Sequence, residues 1–221
     1  MPHLTSVSHT RRMRRRALLL SVSSVPLAWA ADAGAKTQAK VAPIPPIPLR
    51  VFVGQLPAAS PEKAPTPVVD GAFVDAQLAQ AAALFSPHGL AFEERERSSL
   101  AVGDLLTRED RNGLSKHLEA ERCNVFFVGR LRDVDDPALD RMGVMWRNLR
   151  NLKQKYVIVS SAARETTLAH ELGHFLGNPH SFVKNNLMSY ERDGGPVFLD
   201  ESQGAISRRT ARALFASKEL A

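Results

Sequence analysis

An α/β (α+β) fold is what the patterning of this 221-residue sequence predicts, and the motif described below adds the expectation of helices packed on a twisted mixed sheet with a small irregular C-terminal part carrying one helix. Three observations lead there. Across residues 49–176, runs of strand character alternate with runs of helical spacing, the order from which α/β layers are built. Two strand-like runs, 124–128 and 156–160, are short, apolar and rich in β-branched or aromatic residues, as in buried strands. Beyond Gly177 the patterning lapses until a last helical stretch. Alternation sets only the class; the particular arrangement follows from a motif described below.

The first thirty residues read as an export signal. Arg11, Arg12, Arg14, Arg15 and Arg16 form a basic start, an apolar run from Ala17 through Leu27 follows, and Ala28-Trp29-Ala30 offers a small-x-small cleavage site. The mature chain is expected to begin at Ala31, exported to a periplasm or secreted by the secretory or the twin-arginine route. The apolar run falls short of the roughly 20 residues a membrane span needs, so no stable span is expected after cleavage. Residues 31–48 form a proline-rich tail, a linker or short propeptide, whose end Pro43-Ile44-Pro45-Pro46-Ile47-Pro48 favours an extended path. Residues 49–221 make one domain with room for a sizeable core.

Within that domain, residues 49–53 predict a first strand and Pro57 to Pro67 a loop. Residues 73–85 predict a helix, with Phe73, Leu78, Ala81, Ala82 and Phe85 on one face and Ser86-Pro87-His88-Gly89 ending it. A short strand with a charged outer face is expected over 90–97, and a helix over 105–120, interrupted near Asn112-Gly113. The two buried strands follow, then a helix over 163–176 and a last one over 201–217.

The formal charge of +6 misleads, because the leader's five arginines carry five of those charges and leave +1 for the mature chain. Nucleic-acid binding therefore loses its electrostatic basis. A single cysteine, Cys123, excludes an internal disulfide and, beside Val125-Phe126-Phe127-Val128, reads as a buried small hydrophobe.

The chemistry lies in His170-Glu171-Leu172-Gly173-His174-Phe175-Leu176-Gly177-Asn178-Pro179-His180, which fits H-E-x-x-H-x-x-G-x-x-H throughout. Four residues apart on a helix, His170 and His174 share a face, while Leu168, Leu172, Phe175 and Leu176 turn toward a core. The helix must stop before His180 can reach the same ion. Gly177 tolerates the left-handed conformation that ends helices, and Pro179 prevents resumption. Three imidazoles make a three-ligand Zn2+ site with a position left for water, the arrangement of catalytic rather than structural zinc. Glu171, one residue past the first ligand, is placed to move a proton as general base and acid. His88 and His117 lack partners at ligand spacing and read as solvated or locally bonded.

On these residues, together with Met188 in Asn186-Leu187-Met188-Ser189-Tyr190, the chain resembles the metzincins, zinc endopeptidases that include astacins, serralysins, matrixins and reprolysins. The resemblance spans residues 170–190 and mixes subfamily features. Tyr190 stands where astacins and serralysins have a tyrosine that ligates zinc and then stabilises the oxyanion; packed on the cleft wall is the other reading. Ser181 is matrixin-like, yet the matrixin cysteine switch and the serralysin calcium repeats are absent from the sequence. The resemblance implies an upper subdomain of sheet and helices including the zinc helix, a lower one of irregular chain plus the last helix, and a cleft between them. It implies a methionine floor under the imidazoles at Met188, a cleft-edge strand at 141–146 for an extended peptide, and a pocket wall at 191–198. The expected activity is that of an exported zinc endopeptidase, monomeric, acting on extended peptide or protein. The alternative is a zinc-containing binding module without turnover, against which the intact Glu171 argues.

Overall fold

The computed structural model describes residues 42–58, 60 and 62–221; the expected leader and cleavage site, and residues 31–41 of the expected tail, lie outside them. Six strands form one mixed sheet: β1 (Ile47–Leu56), β2 (Thr66–Pro67), β3 (Phe92–Leu100), β4 (Cys123–Val128), β5 (Gly143–Arg147) and β6 (Lys155–Ser160). β3, β1, β4 and β6 run parallel in that spatial order, and β5 pairs antiparallel with β6. Short β2 pairs antiparallel with the end of β1. The helices are α1 (Gly71–Phe85), α2 (Arg108–Gly113), α3 (Thr167–Phe175) and α4 (Glu201–Ala216).

The apolar runs seen in the sequence arise because the central strands are covered on both faces. Ile47, Leu49, Val51, Val125, Phe127, Val157 and Val159 join a core with Val74, Ala81 and Phe85 of α1, Leu168 and Leu172 of α3, and Ala211 and Leu214 of α4. Their alternate neighbours Phe52, Phe126, Val128, Tyr156 and Ile158 meet Leu105, Leu114, Leu131 and Trp146 on the other side. A parallel strand between two layers carries no polar face, so its sequence loses the alternation of a half-exposed strand. Phe52 stacks on Phe126 with ring centroids 4.8 Å apart, and Phe126 meets Tyr156 edge-on at 5.5 Å. Arg50, buried in β1, is paired with Glu96 and Glu119 and lies 4.4 Å over the Phe52 ring.

Several element boundaries differ from those read in the sequence, each for a physical reason. β1 starts at Ile47, so Pro48 lies in a strand. The Ile47 amide donates to Ala91 beside β3 at 2.8 Å, and successive amides face opposite edges. The edge that Pro48 faces has no neighbour yet, because β4 pairs only from Leu49 onward, so the missing N–H leaves no bond unmade. The helix expected over 105–120 is shorter, α2 being followed by a 3-10 turn at Leu114–His117. Thr107 and Asp110 close its start as a capping box. The helix expected from residue 163 begins at Thr167, since the chain before it turns. Cys123 is a free, fully buried thiol whose surroundings raise its pKa by excluding water. Among the described residues no helix is long and apolar enough to cross a membrane.

Candidate metal centre

α3 carries His170 and His174 on one face and drives Leu168, Leu172 and Phe175 into the core. Its end is a Schellman turn: the Asn178 amide donates to Gly173 O and the Gly177 amide to His174 O, both at 3.0 Å, with Gly177 at φ +88°. That reversal swings the chain under the helix and returns His180 to the other two rings. One nitrogen from each ring lies within 4.8 Å of one from each of the others.

The orientation of the rings shows what they can hold. His170 Nδ1 lies 2.7 Å from Leu187 O and His174 Nδ1 lies 2.8 Å from Asn178 O. A carbonyl only accepts, so both Nδ1 atoms carry the proton and both Nε2 atoms present bare lone pairs inward. His174 Nε2 is nevertheless 3.1 Å from His170 Nε2 and 3.0 Å from His180 Nε2. Lone pairs so placed repel one another unless a cation lies between them. Metal–nitrogen bonds of about 2.0–2.1 Å in a tetrahedral site separate donors by roughly 3.3 Å, close to this spacing. The cluster fits a metal ion. Burial, reinforced by the other two imidazoles and opposed by the Leu187 bond, pushes His170 down to about 4, and burial lowers His174 as well. Both rings thus stay neutral, as ligands must be.

Glu171 is buried beside the histidines, with Oε2 accepting the Met145 amide of β5 at 2.7 Å. Burial pushes its carboxyl up to about 7, against the opposing pull of that amide and of Arg141. Gly143 permits this approach: a Cβ there would stand 2.9 Å from Glu171 Cγ and 2.7 Å from Thr167 Cγ2. Tyr190 is 69% exposed yet reaches the centre, its hydroxyl 2.7 Å from His180 Nε2.

Met188 is fully buried and lies against Gly173, where any Cβ would overlap its sulfur. Its loop is tied to α4 through Asn186, which has no exposed surface. The Asn186 Oδ1 accepts from the Met188 amide and from Gln203 Nε2, each at 2.9 Å, and Asn186 Nδ2 donates to Gln203 Oε1 at 2.8 Å. Asn178 is held from the same helix, its Nδ2 donating to Ser207 Oγ at 2.7 Å.

Three supports went unread in the sequence. Gln77 of α1, 1% exposed, accepts the Leu168 amide at 2.9 Å and donates to Arg164 O at 2.7 Å, closing the start of α3 in place of a cap. The Asn186–Gln203 pair and the Met145 amide are the others. A glutamine in an alanine-rich helix gives no sign of this duty; Gln203 carried one, as the partner of Asp200 in a capping box. His88 is bonded locally, Nε2 lying 3.0 Å from Leu199 O, and takes no part in the cluster.

Two depressions, about 320 and 360 Å³, flank the cluster and share Arg141, Gly143, Glu171 and Tyr190. Together they make a cleft along β5.

No protein-family model matches the sequence, and no curated protein matches it. Among solved structures, metalloproteinase II from Bacteroides fragilis is similar at 13% identity and a TM-score of 0.47, over 77% of this chain and 55% of that one. The chain thus spans about half the length of that structure.

Proposed function

We propose that the protein is an exported zinc-dependent endopeptidase of the metzincin kind. The observation that carries this reading is the convergence of three Nε2 atoms, with the His170 and His174 rings locked by carbonyls at Nδ1. His170, His174 and His180 would hold the ion, and a donor set of three neutral imidazoles suits zinc. When bound, such an ion supplies a Lewis acid for the scissile carbonyl and hydroxide at neutral pH.

The chain's own residues do the rest. Substrate lies extended along β5, whose outer edge offers main-chain groups to a further strand. The Glu171 Oε1 accepts the proton of the attacking water while the Met145 amide holds Oε2, and the same carboxyl then delivers that proton to the departing amine. The Tyr190 hydroxyl, beside His180, donates to the oxygen on which charge develops. The leader carries the chain out of the cytoplasm, and the mature protein works as a monomer on extended peptides.

The test is zinc content and peptide cleavage of the purified protein and its Glu171→Gln variant. One zinc per chain is expected in both, chelator-sensitive cleavage in the parent, and a loss of about 100-fold or more in the variant. Cleavage indifferent to chelator, or a variant as fast as the parent, would overturn the reading.

A further inference from the structure

The depression at the α3 entrance, which His170 also lines, is basic. Its wall carries Arg141, Arg164 and Arg192 against two carboxyl groups, Asp140 and Glu171. Asp140 is already engaged by Arg130, whose Nε donates to both its oxygens at 2.8 and 2.9 Å, and Arg141 is paired with Asp133. Those two charges are therefore compensated within the fold.

Arg164 and Arg192 are not. Among the described residues neither forms an ion pair. Arg192 spends its guanidinium on backbone carbonyls, donating to Ser189 O at 2.6 Å, Asn186 O at 3.0 Å and Leu187 O at 3.3 Å. Those bonds fix its position but leave its charge. Arg164, exposed at the turn before α3, faces the same cavity and is near enough for its charge to oppose that of Arg192. Glu171 lies at the inner end of the pocket, bonded to Met145 and committed to the reaction. Two like charges on the rim of a cavity of about 320 Å³ favour an anion between them. Arginine is suited to a planar carboxylate in particular, because its N–H groups match both oxygens.

We propose that this pocket takes a carboxylate of the substrate, supplied by an acidic side chain beside the cleaved bond or by the end of the chain. The inference rests on the peptidase reading of the same cleft. Arg164 is the specificity-determining residue, since Arg192 is also needed to hold the loop that carries Leu187 and Met188.

The test has a cleavage arm and a binding arm. Peptides matched except for Glu or Gln beside the cleaved bond, each with a free or an amidated end, are compared as substrates of the parent and of Arg164→Gln. A preference of about tenfold or more for the carboxylate-bearing peptide is expected, falling at high salt and largely lost in Arg164→Gln, whose cleavage of the neutral peptide is unchanged. Preference that follows the side chain identifies an acidic residue, and preference that follows the free end identifies a terminal carboxylate. The same fluorescent peptides are titrated against zinc-loaded Glu171→Gln protein with and without Arg164→Gln, so that the pocket is read even where nothing is cleaved. Chelator-sensitive cleavage with equal use of all four peptides overturns the carboxylate pocket and leaves the peptidase reading standing. Absence of cleavage with selective, Arg164-dependent binding does the reverse. Equal binding of charged and neutral peptides overturns the inference in either case.

Discussion

Asn186→Ala is the substitution that tests how the centre is built. The side chain is fully buried and makes three good hydrogen bonds, at 2.8, 2.9 and 2.9 Å, to Gln203 and the Met188 amide. Alanine removes all three and strands two buried donors, the Met188 amide and one Gln203 Nε2 proton. Each stranded group costs about 1–3 kcal/mol, so a loss of roughly 2–5 kcal/mol is expected, a large share of the about 5–15 kcal/mol that holds a domain together. The effect should also reach the metal. The loop that loses its anchor carries Leu187 O, which fixes the His170 tautomer, and loosening such a support weakens metal affinity about 10- to 100-fold. Urea unfolding of the metal-free protein reads the first quantity and competition with a zinc indicator reads the second. Because Gln203 is the shared partner, adding Gln203→Ala should cost little beyond the single change. An unchanged urea midpoint with unchanged zinc affinity would refute the argument, and additive costs in the double variant would show that the two side chains act separately.

Gln77→Ala should destabilise by about 2 kcal/mol, because it strands the Leu168 amide at the buried junction of α1 and α3 and leaves Arg164 O only its bond from the Thr167 amide; urea unfolding measures it, and a change below the experimental error would rule out the capping role. Gly143→Ala places a methyl against Glu171 Cγ and Thr167 Cγ2, so zinc content should hold while cleavage falls about 100-fold through misplacement of the carboxylate; parent-like rates would contradict the packing. Removing metal should lower the thermal midpoint, since three inward lone pairs lose the cation between them. Zinc at about 1,000 times its dissociation constant stabilises by about 4 kcal/mol, and identical melting with and without chelator would show that the cluster holds no ion.

The parts of this centre that could be read from the chain are those whose partners are near in sequence. His170 and His174 are four residues apart on one helix, and the turn that recovers His180 is written in Gly177 and Pro179. The fold class was legible because sheet strands covered on both faces leave unbroken apolar runs. What was hidden depends on contacts across the chain: Gln77 reaches 91 positions to Leu168, Met145 reaches 26 to Glu171, and Asn186 reaches 17 to Gln203. Each is a polar residue or a main-chain amide whose local pattern is ordinary, so nothing short of tertiary structure distinguishes it. β5 is the intermediate case. Its residues are only partly apolar, and the resemblance pointed to the strand where composition left strand and loop open.

Seen from these supports, α4 matters more than its place after the motif suggests. It supplies no ligand, yet Ser207 holds Asn178, whose carbonyl fixes His174, and Gln203 holds Asn186, whose loop presents the carbonyl that fixes His170. Two of the three rings are therefore oriented from one helix lying beyond them in sequence. Gly204 between those contacts lets His88 pack at the helix surface, where a Cβ would collide with its ring. A truncation that removed α4 would leave all eleven motif residues intact and still dismantle the site, because the direction of an imidazole lone pair is set by what its other nitrogen can reach.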